Sequence, residues 1–137
     1  MAKDQTKQYV YIVQASKEPS WCKIGIANDL EGRLRILNSM IDESEENIYR
    51  YIFACEVENM IDVDYDTRVN FSIYSMNTEA NVFFLNDELF GMYVEFIKSH
   101  PFFIKEIFTL KNIFFKQKAK KKNPSLENDN LQQTTLC

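Results

Sequence analysis

Histidine is almost missing from this chain: His100 is the only one in 137 residues. It stands beside Pro101 with no serine or cysteine nucleophile motif near it, so a hydrolytic triad is disfavoured and His100 reads as a helix-entry residue. Cysteine is scarce as well. Cys22, Cys55 and Cys137 are odd in number and lack a C-x-x-C spacing, which argues against a disulfide framework and a zinc site and fits a reducing, cytoplasmic setting. Nowhere do about 18 uncharged apolar residues run together, so no membrane span is expected. Met1-Ala2-Lys3-Asp4 leads into polar residues instead of an apolar leader, so secretion is not expected either. Positive charge is also short: 16 Lys and Arg against 20 Asp and Glu give a net charge of −4. Coating nucleic acid by wholesale phosphate neutralisation needs the opposite balance, so any such contact has to be local. No internal repeat is visible.

What is present suffices for one core. Apolar residues make up 45% and aromatics 14%, the latter concentrated between Tyr49 and Phe115, in a chain the size of one ordinary domain. Tyr9 to Val13 and Trp21 to Ile26 are rich in β-branched and aromatic residues, and the turn-prone link Ser16 to Ser20 suits an antiparallel hairpin. Asn28 or Asp29 caps a helix reaching about Ile41, with Leu30, Leu34, Leu37 and Ile41 on the sheet-facing stripe, Arg33 at its edge and Arg35 pointing away. Gly32 inside this helix suggests close approach of another backbone. After an acidic loop from Asp42 to Glu46, Ile48 to Cys55 reads as a third strand.

Asn59 with Asp62 has the shape of a cap for a second helix, whose expected core stripe is Ile61, Tyr65, Val69 and Ile73, leaving Asp64 and Asp66 on its two margins. Ser75 to Asn81 reads as a loop, Val82 to Leu85 as a short strand or extended segment, and Asn86 as the cap of a third helix through Leu89, Tyr93, Phe96 and Ile97. Pro101 fits the first turn of a fourth, strongly apolar helix bearing Phe103, Ile107, Leu110 and Phe114, flanked by Ile104, Phe108 and Phe115. The expected architecture is α+β: a small, mainly antiparallel three-stranded sheet flanked by helices, with that extra C-terminal helix. The expected division is a tail at 1–8, a domain at 9–99, the apolar helix at 100–117, and a disordered basic and polar tail at 118–137 containing Lys118 and Lys120 to Lys122. So broad an apolar arc on the last helix leads to the expectation of a homodimer formed through it.

Several short motifs share one order along the chain. Val10-Tyr11 lies in the first strand and Lys23-Ile24-Gly25 in the second; Arg33 begins Arg33-Leu34-Arg35-Ile36-Leu37-Asn38; Asn81-Val82-Phe83-Phe84-Leu85 follows later. Together they resemble the GIY-YIG nuclease superfamily in its divergent KIG branch, the T5orf172 domain. The resemblance implies Tyr11 as a water-orienting phenol, Lys23 in place of the second tyrosine, Arg33 on a scissile phosphate, and Arg35 as a further substrate contact. It implies Asp66 as ligand of Mg2+ or Mn2+, with Asp64 as the reserve choice, in a helix register, Tyr65 to Asn70, that gives Asp for the family's Glu and Asn for its His. A phosphodiester repels nucleophiles through its own charge, which a guanidinium and a metal held by a hard carboxylate offset. The two departures in the metal helix favour a catalytically weakened relative that binds DNA or a protein partner; the alternative is an active metal-dependent DNA endonuclease.

Overall fold

Alternation along the first two strands builds the centre of the molecule. A computed structural model describes residues 6–39, 48–77, 81–111 and 113. Among these the elements run β1 (Gln8–Ala15), β2 (Glu18–Ala27), α1 (Leu30–Ser39), β3 (Tyr49–Val57), α2 (Met60–Asn70), β4 (Ser75–Asn77), β5 (Val82–Phe84), α3 (Asp87–Lys98) and β6 (Phe103–Thr109), with a short 3-10 turn at Ser72–Tyr74. Strands β1 and β2 form the expected antiparallel hairpin, closed more tightly than the sequence suggested because β2 already begins at Glu18. The acidic loop and the basic tail from Lys118 lie outside the described residues.

Among the described residues the sheet has six strands in the order β4-β5-β2-β1-β3-β6, and every neighbouring pair is antiparallel. The expected three-stranded sheet is therefore only its middle. Val10, Ile12, Cys22, Ile24, Phe53 and Cys55 pack with side chains of α2 and α3 in the main core, whereas Tyr11, Val13, Ala27 and Ala54 meet Leu30, Leu34 and Leu37 of α1. Successive strand residues point to opposite faces, which is why Tyr11 belongs to one cluster and its neighbours Val10 and Ile12 to the other. Leu89, Tyr93 and Ile97 of α3 are buried as expected. The two asparagine caps are in place: Asn59 Oδ1 accepts from the Asp62 N–H at 3.2 Å, and Asn86 Oδ1 from the Leu89 N–H at 2.7 Å.

Three expectations fail here. First, the segment after Pro101 is not a helix in its described part but the edge strand β6, paired with β3 from Phe53↔Thr109 to Val57↔Phe103. Its apolar residues fit both periods, but Phe, Ile and Thr favour a pleated strand, and the open edge of β3 carries backbone groups that need partners. Chain beyond β6 stays tied to the sheet: the Leu110 N–H bonds to Ile52 C=O at 2.8 Å, and the buried Gln14 amide donates to Ile113 C=O at 2.9 Å. Second, β4 forms within the expected loop, pairing Ser75 with Phe83.

Third, α2 is rotated from its expected orientation. Ile61, Tyr65, Val69 and Ile73 are exposed, between 55% and 81%, and the buried residues of the helix are Val63, Asp64 and Thr67. The helix offers two competing apolar stripes. Met60, Val63, Thr67 and Phe71 win because the small Val63 and Thr67 let it lie close on the sheet, and the Thr67 hydroxyl is satisfied by Val63 C=O at 2.7 Å. This rotation brings Asp64 inward. No helix among the described residues is long and apolar enough to cross a membrane.

Candidate functional site

Tyr11 sits in the central strand between two of the smallest side chains available, opposite Gly25 on β2 and Ala54 on β3. Its ring lies across Gly25: a Cβ placed there would come within 2.6 Å of the Tyr11 hydroxyl. The Tyr51 ring packs edge-on against it at 5.4 Å. Burial raises the Tyr11 pKa above its usual value, Arg33 pulls it down, and Asp64 raises it further. The phenol is consequently neutral near pH 7, fit to donate or accept a hydrogen bond and unfit to serve as a standing phenolate base.

Arg33 is placed by a helix fixed at both ends. Asp29 caps α1, its carboxylate accepting from the Gly32 N–H at 3.2 Å and its carbonyl from the Arg33 N–H at 2.9 Å. The neighbour crowding Gly32 is this same carboxylate, not another backbone. At the first turn the Tyr51 hydroxyl donates to Leu30 C=O at 2.6 Å. Near the last turn Asn38 exchanges two hydrogen bonds with the Tyr49 backbone, at 2.7 and 3.3 Å. Arg33 borders a cleft of about 260 Å3 lined also by Ala27, Asn28, Asp29, Gly32 and Ile36. Its Nε is buried and has no hydrogen-bond partner in the protein.

Asp64 is the matching acceptor. It is 7% exposed, its Oδ2 takes a hydrogen bond from Arg68 Nε at 3.1 Å, and its Oδ1 is buried without a partner. Burial raises its pKa, and the Arg68 charge and hydrogen bond only partly offset that. A donor and an acceptor, both buried and unpaired, thus act electrostatically on one neutral phenol. Buried polar groups are normally satisfied, and among the described residues the unpaired buried side-chain atoms are Arg33 Nε, Asp64 Oδ1 and Ser75 Oγ; the first two belong to the groups whose charge reaches Tyr11. Among the described residues no group of three or more His, Cys, Asp and Glu is close enough to hold a metal. A cation here would therefore take one protein carboxylate and fill its shell with water and substrate oxygens, as magnesium commonly does.

The other sequence-derived candidates, Lys23, Arg35 and Asp66, each have neighbours of their own. Lys23 shares the Tyr11 face, opposite Val13, but its ammonium rests 5.5 Å over the Tyr49 ring. Arg35 is exposed, with its guanidinium near Gly32. Asp66 lies about 200° around α2 from Asp64, and its Oδ2 is 2.8 Å from Nε2 of His100. His100 Nδ1 accepts the Phe102 N–H at 3.0 Å, so Nε2 carries the proton given to Asp66. Asp66 thus holds the turn between α3 and β6 through one carboxylate oxygen, and His100 is a structural link, half-stacked on Phe102. Two participants were not picked out by the sequence reading: Tyr51, which resembles any packed strand aromatic, and Asn38, whose only signal was its place ending the arginine motif.

A family model, the T5orf172 domain, matches residues 8–107, from the start of β1 into β6 and including every element that contributes to the Tyr11 cluster. No curated protein and no solved structure matches the chain. Because the matched span is well over half of the sequence, the chain belongs to the T5orf172 domain family.

Proposed function

We propose that this protein is a nucleic-acid-interacting domain of GIY-YIG type that grips a phosphodiester at Tyr11, Arg33 and Asp64 and, with a divalent metal, hydrolyses it only weakly. The observation that carries this reading is the pair of buried, unpaired atoms, Arg33 Nε and Asp64 Oδ1, acting on the neutral Tyr11 phenol. A guanidinium with a free N–H suits a phosphate oxygen, and an unpaired carboxylate oxygen suits Mg2+ or Mn2+. Placing the metal carboxylate at Asp64 shifts the helix register two residues earlier than the sequence suggested: Val63-Asp64-Tyr65-Asp66-Thr67-Arg68 then carries the motif, with arginine where the family writes histidine.

In this arrangement Arg33 holds the phosphate and offsets its charge. Tyr11 orients a water through its hydroxyl, and the core around it limits solvent. Asp64 would hold the metal, which when bound supplies charge neutralisation and a more acidic water. Two features make the chemistry weak: aspartate reaches one methylene less than glutamate, and Asp64 Oδ2 is already taken by Arg68. With a net charge of −4 the domain contacts nucleic acid locally, and DNA is the proposed partner.

The test is DNA binding and cleavage on duplex, single-stranded and branched substrates with Mg2+ and Mn2+. Arg33→Ala should weaken binding roughly 10- to 100-fold, since a charged hydrogen bond contributes about 1.5–3 kcal/mol. Tyr11→Phe should bind like the parent and cleave less. Failure of the parent protein to bind any of these substrates would overturn the reading.

Self-association is proposed for the same segment as before, now as a strand. Ile104, Ile107 and Phe108 on the sheet-edge strand β6 are each more than 40% exposed. An exposed apolar edge strand invites pairing with a second copy. Sedimentation should show concentration-dependent dimer that Phe108→Glu reduces; a monomer at all micromolar concentrations rejects it.

A further inference from the structure

Tyr51 is a residue to which neither the family motifs nor the sequence assigned a role, yet it touches both halves of the cluster. Its hydroxyl donates to Leu30 C=O, one turn before Arg33, and its ring packs edge-on against Tyr11. We propose that Tyr51 is a positioning residue that fixes the Arg33 helix and the Tyr11 ring relative to each other, so that phenol and guanidinium meet one phosphodiester. This rests on the phosphodiester reading above.

The chemistry of the hydroxyl separates positioning from direct contact. Tyr51 has one proton, and at 2.6 Å it is committed to Leu30 C=O. The oxygen therefore faces its surroundings as an acceptor only, which a phosphate oxygen cannot use. Its influence on substrate must pass through what it holds. Burial raises the Tyr51 pKa, with Tyr11 and Arg33 as further charged or ionisable neighbours, so the proton stays in place across the neutral range. Tyr11 and Arg33 lie on different elements, β1 and α1, and Tyr51 on a third, β3; without it, the near end of α1 is held by the Asn28-Asp29 link from β2, by the Asn28 amide on Lys7 C=O at 2.7 Å and by the Leu30 and Leu34 side chains, none of which is a hydrogen bond to β3.

Tyr51→Phe isolates the claim because it keeps the ring against Tyr11 and removes only the bond to the helix. Two measurements on the full chain decide it: affinity for a labelled DNA duplex in Mg2+, and the Arg33 Nε–H resonance in nitrogen-edited NMR. The expected result is a shifted or broadened Arg33 signal and about tenfold weaker DNA binding, at temperatures where circular dichroism shows the variant folded. Tyr65→Phe, at an exposed position on α2, should change neither. A folded Tyr51→Phe protein with the parent's DNA affinity and an unmoved Arg33 signal overturns the proposal. If the Arg33 signal moves but the parent protein binds no DNA, the coupling stands and the phosphodiester reading fails, so the two are distinguished.

Discussion

Asp64→Asn is expected to make the protein more stable at neutral pH while removing its response to divalent metal. Asp64 is buried with one oxygen unpaired, and its pKa is raised chiefly by that burial. A carboxyl whose folded pKa lies above its unfolded value is bound by protons more readily in the folded state. Its ionisation therefore costs stability: nothing well below the unfolded pKa of about 3.9, progressively more as pH rises through the folded pKa, and the full amount above it. Asparagine keeps the shape and still accepts from Arg68, without the charge. The gain should be about 1 kcal/mol, or roughly 3–5 °C in melting temperature at pH 7, closing as the pH falls towards 4. Added Mg2+ or Mn2+ should stabilise the parent and not the variant, and any cleavage should fall at least about 100-fold. Melting curves across pH, with and without metal, read both effects. A variant less stable than the parent at pH 7 would mean that the Arg68 ion pair outweighs the cost of burial, and that Asp64 is a structural charge.

Gly25→Ala should be among the most damaging single-methyl additions in the chain. The new Cβ would stand 2.6 Å from the Tyr11 hydroxyl oxygen and 2.8 Å from its Cζ, closer than real contacts allow. The phenol is hemmed in by Tyr51 and is only 6% exposed, so it has little room to give. Overpacking of this kind costs about 1–3 kcal/mol. Moving the hydroxyl by about 1 Å should also reduce any hydrolysis about 100-fold. The clash makes a sharper prediction than the loss itself: in a Tyr11→Leu background, which lacks the crowded ring atoms, Gly25→Ala should cost under about 1 kcal/mol. Equal costs in the two backgrounds, measured by urea denaturation, would show that the glycine serves the backbone and not the tyrosine.

Local signals carried much of the fold. The hairpin of β1 and β2, the Leu30-Leu34-Leu37 stripe of α1, the strand β3 and the asparagine caps at Asn59 and Asn86 were legible because each depends on residues within a few positions of one another. Motif order likewise placed Tyr11, Gly25 and Arg33. That Gly25 opposes Tyr11 follows from the hairpin register, whereas the placing of the ring across it is visible only in the folded chain.

What tertiary structure decided was every choice between two locally acceptable answers. Helix α2 carries apolar residues on two faces, so its own pattern could not say which meets the sheet; close packing of Val63 and Thr67 settled it, and with it whether Asp64 or Asp66 turns inward. Phe103 to Thr109 satisfies a helical and a pleated period alike, and the unpaired edge of β3 resolved it as strand. Tyr51 acquires a role only because folding sets Leu30, 21 residues away, against its hydroxyl. The sequence by itself determined the local elements and the candidate chemistry of Tyr11 and Arg33. Only the packed structure determined which carboxylate of α2 turns inward, because that depends on a helix rotation whose energy resides in contacts between segments distant along the chain.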